Sequence, residues 1–198
     1  MNMKAELRVL IVGAALLNFA AGLFNPIYAA FVEEIGGDLL TAGSAYGAYA
    51  LAAGVLILVI SRWEDHVRHQ EKLIFAGFLL NTLGFLGYFL IRTPFDLFVV
   101  QVIFGIGLAV LNPSFDGFYS RHLDRKKVTS GWGAWEATYW TVTAFSAIIG
   151  GYVAENYGFQ FLFSVMFLIS LASTATVAVL LLKNKKPLAL FKVGLFND

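Results

Sequence analysis

Two stretches decide the reading of this chain: FNPIYAAF at residues 24–31 and LNPSFDGF at residues 111–118. Each is followed by a second matched phrase, AYGAYALA from residue 45 and GWGAWEAT from residue 131. One residue of gap separates the two alignments. Only the second copy contains acids: Ala29 and Ala50 in the first correspond to Asp116 and Glu136 in the second. Both Asn-Pro pairs lie in long apolar blocks, so the meaning of the match depends on what those blocks are.

The chain has 198 residues, 59% hydrophobic and 14% charged, with a mean hydropathy of +0.73. A soluble domain is nearer half apolar and a quarter charged. Six blocks hold no Asp, Glu, Lys or Arg: 9–32, 39–61, 73–91, 97–115, 137–154 and 156–182. Each is close to the ~20 residues with which a helix crosses the ~30 Å hydrocarbon core. The blocks are apolar on all sides, not alternating as barrel strands are, so helices that satisfy their own backbone are expected. Extending the fifth span back to Thr129 takes in Glu136. The first block is longer than a signal-peptide core and lacks a cleavage pattern, so it reads as a span. No cysteine is present, which excludes disulfide and thiolate chemistry. No GxxxxGK[ST] phosphate loop occurs, so no ATPase is expected.

Charge sets the expected orientation. With six spans, the N-terminus, the 61–72 and 121–127 loops and the tail share one side. That side holds every Lys and Arg except Arg92, while Glu33, Glu34, Asp38, Asp96 and Glu155 fall on the other. Lys and Arg collect in the cytoplasm. Both termini are therefore expected there, in a multi-pass protein of the plasma (inner) membrane. The basic and apolar tail, 184–198, reads either as a surface-lying segment or as a stop-transfer cluster.

The match can now be placed. Asn25-Pro26 lies near the outer end of span 1, and Asn112-Pro113 near the inner end of span 4. The same phrase thus runs in opposite directions across the membrane. The expected fold is all-α: six transmembrane helices in one domain, 1–198, as two inverted three-helix repeats at about 7–92 and 94–183. Inverted repeats of this kind mark secondary transporters, with substrate sites near the midplane between helices. Asn18 and Asn25 are seven residues apart and share a face of span 1. They read as a polar cavity wall or as amide contacts between helices.

With those residues in view, the chain resembles one six-helix half of a major facilitator superfamily transporter, over essentially its whole length. The family's loop pattern G-x-x-x-D-[RK]-x-G-[RK]-[RK] falls on residues 61–70, where Asp65 matches and Ser61, Arg68 and Gln70 depart. The resemblance therefore assigns Asp65 to a gating loop. The span 4 pattern R-x-x-x-G-x-G-x-A falls on Gln101, Gly105, Gly107 and Ala109, with Gln in place of the Arg. Gly150-Gly151 and the run from Glu155 to Phe163 are similar to the end of span 5 and start of span 6 in many members. The antiporter Gly-Pro pair is absent, Ser146-Ala147 standing there. The resemblance implies alternating access, with a second half supplied by an identical copy, by a different chain, or missing.

Ionisable groups inside a membrane usually face a cavity or a partner. Glu136 lies nine residues past Lys127, about 13 Å along a helix. Trp132, Glu136, Tyr139 and Thr143 share one face of span 5, with Trp135 and Trp140 alongside. A carboxyl among aromatic rings is a candidate proton acceptor; an ion pair with Arg121 or a loop lysine is the structural alternative. Asp116, one turn before Arg121, has the same two readings. Gln101 and Asn112 add amides on span 4. His66, His69 and His122 lie in charged loops and read as solvated, with no metal site expected. No nucleophile–base pairing is visible, so an enzyme is not expected.

The sequence therefore predicts a half-size secondary transporter, acting as a homodimer and coupled to protons through Glu136 with Asp116. Asn18, Asn25, Gln101, Asn112, Tyr139 and Trp140 are expected to bind a small-molecule substrate. No cofactor and no nucleic acid is expected; the partners are substrate, lipid bilayer and a second copy. A non-transporting membrane scaffold and one half of a heteromeric transporter are the competing readings.

Overall fold

The computed structural model describes residues 5–64, 67 and 70–183, and its regular elements are all helical. They are α1 (Ala5–Gly22), α2 (Tyr28–Glu34), α3 (Leu39–Glu64), α4 (Gln70–Gly87), α5 (Pro94–His122) and α6 (Val128–Lys183), with 3-10 turns at Asn25–Ile27 and Tyr88–Leu90. Among the described residues, five segments are long and apolar enough to span a bilayer: Ala5–Glu34, Leu39–Glu64, Gln70–Leu90, Pro94–His122 and Val128–Leu180. The protein is an integral, multi-pass membrane protein. Asp65, His66, His69 and the 184–198 tail lie outside the described residues, so the gating-loop assignment of Asp65 meets no structural observation.

Two breaks shape these segments. The helix α6, 56 residues long, would reach about 84 Å if straight, far beyond the bilayer core. It is broken at Gly158, whose φ of 79° and ψ of 167° suit only a residue without Cβ. The sequence marks the same boundary at Glu155, three residues earlier. The first segment, read from sequence as one unbroken span, is interrupted at the Asn25–Ile27 turn. Pro26 supplies no amide hydrogen and its ring crowds the preceding turn. Pro113, its counterpart, stays inside an unbroken α5. That helix is gripped on both sides, by α3 and by α4.

Helix ends are closed locally. Asp38 caps α3, accepting from the Thr41 amide and hydroxyl, each at 2.7 Å. Thr93 and Asp96 form a reciprocal capping box ahead of α5, with Pro94 at its first position.

The helices pack where small residues let backbones approach. α1 lies on α6, α3 on α5, and α4 between α5 and α6. A Cβ on Gly105 would stand 2.7 Å from the Tyr49 carbonyl oxygen of α3. One on Gly150 would collide with the Leu23 carbonyl. Such contacts replace the hydrophobic drive that lipid cannot supply. Buried hydroxyls tie distant segments: Thr82 Oγ1 donates to the Ser170 carbonyl at 3.1 Å, and Ser173 Oγ to the Gly13 carbonyl at 2.7 Å.

Candidate functional site

α1, α3, α4, α5 and α6 surround a cavity of about 670 Å³. The lining follows helical periodicity: Ala14, Leu17, Asn18 and Ala21 from α1; Phe78, Asn81 and Phe85 from α4; Gln101, Phe104, Leu108, Leu111, Asn112, Phe115 and Asp116 from α5. Steps of three and four keep each set on one face. Tyr46 and Tyr49 come from α3, and Trp135, Glu136 and Tyr139 from α6. Asn25, Tyr28 and Tyr88 complete it near the 3-10 turns.

The structure thus brings Asn18, Asn25, Gln101, Asn112, Asp116, Glu136 and Tyr139 into one wall. It leaves Trp140 out. One residue on from Tyr139 turns about 100° around the helix, and Trp140 is 64% exposed on the outer surface. Its ring packs edge-on against Tyr139 with 5.1 Å between centroids.

Five polar lining residues were not singled out from the sequence: Tyr28, Tyr46, Tyr49, Asn81 and Tyr88. Asn81 carried a usable signal, an amide inside a charge-free block, the same feature that marks Asn18. Its Nδ2 donates to the Gly77 carbonyl at 2.8 Å. The tyrosines look like ordinary membrane aromatics in sequence; only packing separates those facing the cavity.

The cavity's two ends are built differently. At one end, Tyr88 is held between Phe163, stacked at 5.0 Å and 16°, and Phe24 at 4.9 Å. Phe31 adds an edge contact to Phe163 at 5.0 Å. At the other, Phe115 packs on Trp135 at 5.0 Å and stacks on Tyr119. The Tyr119 hydroxyl donates to the Gly131 carbonyl at 2.7 Å, fastening the end of α5 to the start of α6.

Polarity is graded across the wall. Gln101 is buried, beside the Tyr28 hydroxyl, which is itself buried. Asn25, Asn112, Asp116 and Glu136 are exposed. Asp116 has Glu136 as its charged neighbour, not a base. Arg121, one turn on, donates instead to Gln70 on α4. The site therefore offers amide and phenol hydrogen bonding, flat aromatic faces and two carboxylates.

Comparison with known proteins agrees with this architecture. Residues 10–195 match the sequence model of the Major Facilitator Superfamily. The chain is 23% identical over 167 residues to the proton-coupled antiporter flippase LtaA of Staphylococcus epidermidis, a match that covers 83% of this chain and 42% of that protein. It is 24% identical over 153 residues to the uncharacterized MFS-type transporter YitZ of Bacillus subtilis, covering 73% of this chain and 88% of that one. The chain spans about two fifths of the length of the LtaA proteins it matches.

Proposed function

The chain belongs to the major facilitator superfamily, and on that premise we propose that it is a secondary transporter that moves a small molecule through the cavity by alternating access. The observation that carries this reading is the convergence of Asn18, Asn25, Gln101, Asn112, Asp116 and Glu136 in one cavity between membrane-spanning helices. Amides and acids drawn from α1, α5 and α6 have no reason to gather there for lipid's sake, since each is costly in hydrocarbon.

The two arms of α6 on either side of Gly158 are read as separate spans, which gives six helices and two inverted triplets. On this reading both termini are cytoplasmic, which the basic loops support. Glu136 is the proton-coupling group, with Asp116 beside it. A second six-helix unit closes the open side of the cavity, where Asn25, Asn112, Asp116 and Glu136 stand exposed. An identical copy, related by an axis along the membrane normal, meets that need in the arrangement that paired transporter halves use.

The test is charge movement on a solid-supported membrane carrying proteoliposomes of the full chain, screened against small molecules under an imposed pH gradient. The reading expects a compound that evokes a current whose sign follows the gradient, and loss of that gradient dependence in Glu136→Gln. No evoked current from any compound class argues against transport. An undiminished gradient-driven current in the variant removes Glu136 from coupling.

A further inference from the structure

The charge of the cavity is one-sided. Asp116 and Glu136 are its only carboxylates, and no Lys, Arg or His lines it among the described residues. The base closest in sequence to Asp116, Arg121, is engaged with Gln70. Aromatic side chains line the same cavity as the acids: Tyr46 and Tyr49 are 5.5 Å apart on α3, and Tyr139 lies three residues past Glu136 on α6. Deeper in, the wall turns apolar, with Phe85 and Phe104 packed 5.0 Å apart and the amide of buried Gln101 nearby.

Three substrate classes can be set against this wall. An organic anion meets two carboxylates and no compensating base, a repulsion that low-dielectric surroundings enlarge. A neutral polyol finds amides and phenols to bond, but draws nothing from the negative charge of the acid pair. A cation offsets the acids and is drawn to the electron-rich ring faces. The volume of about 670 Å³ suits a drug-sized molecule.

We propose that the cavity takes an organic cation, its charged centre between Asp116, Glu136 and the rings of Tyr46, Tyr49 and Tyr139, and its apolar body against Phe85 and Phe104. The proposal rests on reading this cavity as the transport site, and it names the class of molecule that site accepts.

Two probes of nearly the same shape and opposite charge test it: tetraphenylphosphonium and tetraphenylborate. Equilibrium binding of each is measured to the full chain in phosphatidylcholine nanodiscs, with empty nanodiscs as the blank. The phosphonium is expected to bind saturably and the borate only to partition into lipid. The Asp116→Asn/Glu136→Gln double variant is expected to weaken phosphonium binding about tenfold or more. Glu136→Gln alone, at an exposed position, is the second variant, its unchanged melting temperature showing that the fold survives; weakening of about threefold is expected. Absence of saturable phosphonium binding overturns the proposal. So does borate binding of equal strength, or unchanged affinity in both variants. Saturable, acid-dependent phosphonium binding without any evoked current upholds the proposal and removes the transporter reading. Currents evoked only by neutral or anionic compounds do the reverse.

Discussion

Glu136 shows how much a single side chain can commit a helix to. It sits among apolar and aromatic residues of α6, more than two turns along the axis from Lys127 at the end of the preceding loop, yet it is exposed to the cavity. A carboxylate there is tolerated because the cavity, not lipid, receives it. Replacing it with Gln keeps the shape and removes the charge and the titration, so gradient dependence should vanish while the fold persists. Tyr119 makes a different claim at this scale. Its side chain is fully buried, and its hydroxyl closes one bond to the Gly131 carbonyl. Tyr119→Phe should cost about 1 kcal/mol, the usual worth of such a bond in a membrane protein, read as a lowered midpoint in detergent-induced unfolding. Of the proposed site, Asn18, Asn25, Gln101, Asn112, Asp116 and Glu136 stood out in sequence because each is a polar group in an apolar stretch, while Asn81 was passed over. Trp140 misled because helical spacing gives a face only to within a residue, and the step from Tyr139 carries it to the outside.

At the scale of the element, the doubled Asn-Pro phrase has two outcomes. In the first copy the helix breaks into a 3-10 turn, and in the second it continues through Pro113. The likeness was readable in sequence; the different outcome was not, because it depends on what grips each helix. Backbone contact gives a sharper test. A Cβ on Gly150 would land on the Leu23 carbonyl of the α1 segment, whereas one on Gly151 meets nothing within 4 Å. Gly150→Ala should therefore destabilise by about 1–3 kcal/mol or more, and Gly151→Ala should stay within about 0.5 kcal/mol. Thermal unfolding of the two variants in one detergent compares them directly. The α3 cap supplies a pH signature. The Thr41 hydroxyl, and then its amide, hold the Asp38 carboxyl below the usual carboxylate range. A group so depressed stabilises above its unfolded value and loses that contribution as pH falls through its folded value. Asp38→Asn should flatten the fall in melting temperature on the acid side, below about pH 4.

For the molecule as a whole, composition alone settled the class. The apolar blocks, their lengths and their lack of alternation left helices in a bilayer as the one arrangement that satisfies the backbone. What composition could not convey was the enclosure: five helical segments each contribute two or three polar groups that meet only after packing, and the tyrosines of the wall carry no mark of it in sequence. The same packing leaves Asn25, Asn112, Asp116 and Glu136 exposed, which is the ground for proposing a second unit. Native mass measurement in mild detergent should return two copies of the chain. The central claim is that the cavity opens alternately to the two sides of the membrane, and the absence of cysteine makes it directly testable. Asn18→Cys places a lone thiol in the wall. Its labelling by a membrane-impermeant methanethiosulfonate is measured from each side of oriented vesicles at two pH values. The account predicts reaction from both sides, with the rate on one side falling as the rate on the other rises. Reaction from the same single side at both pH values would contradict it.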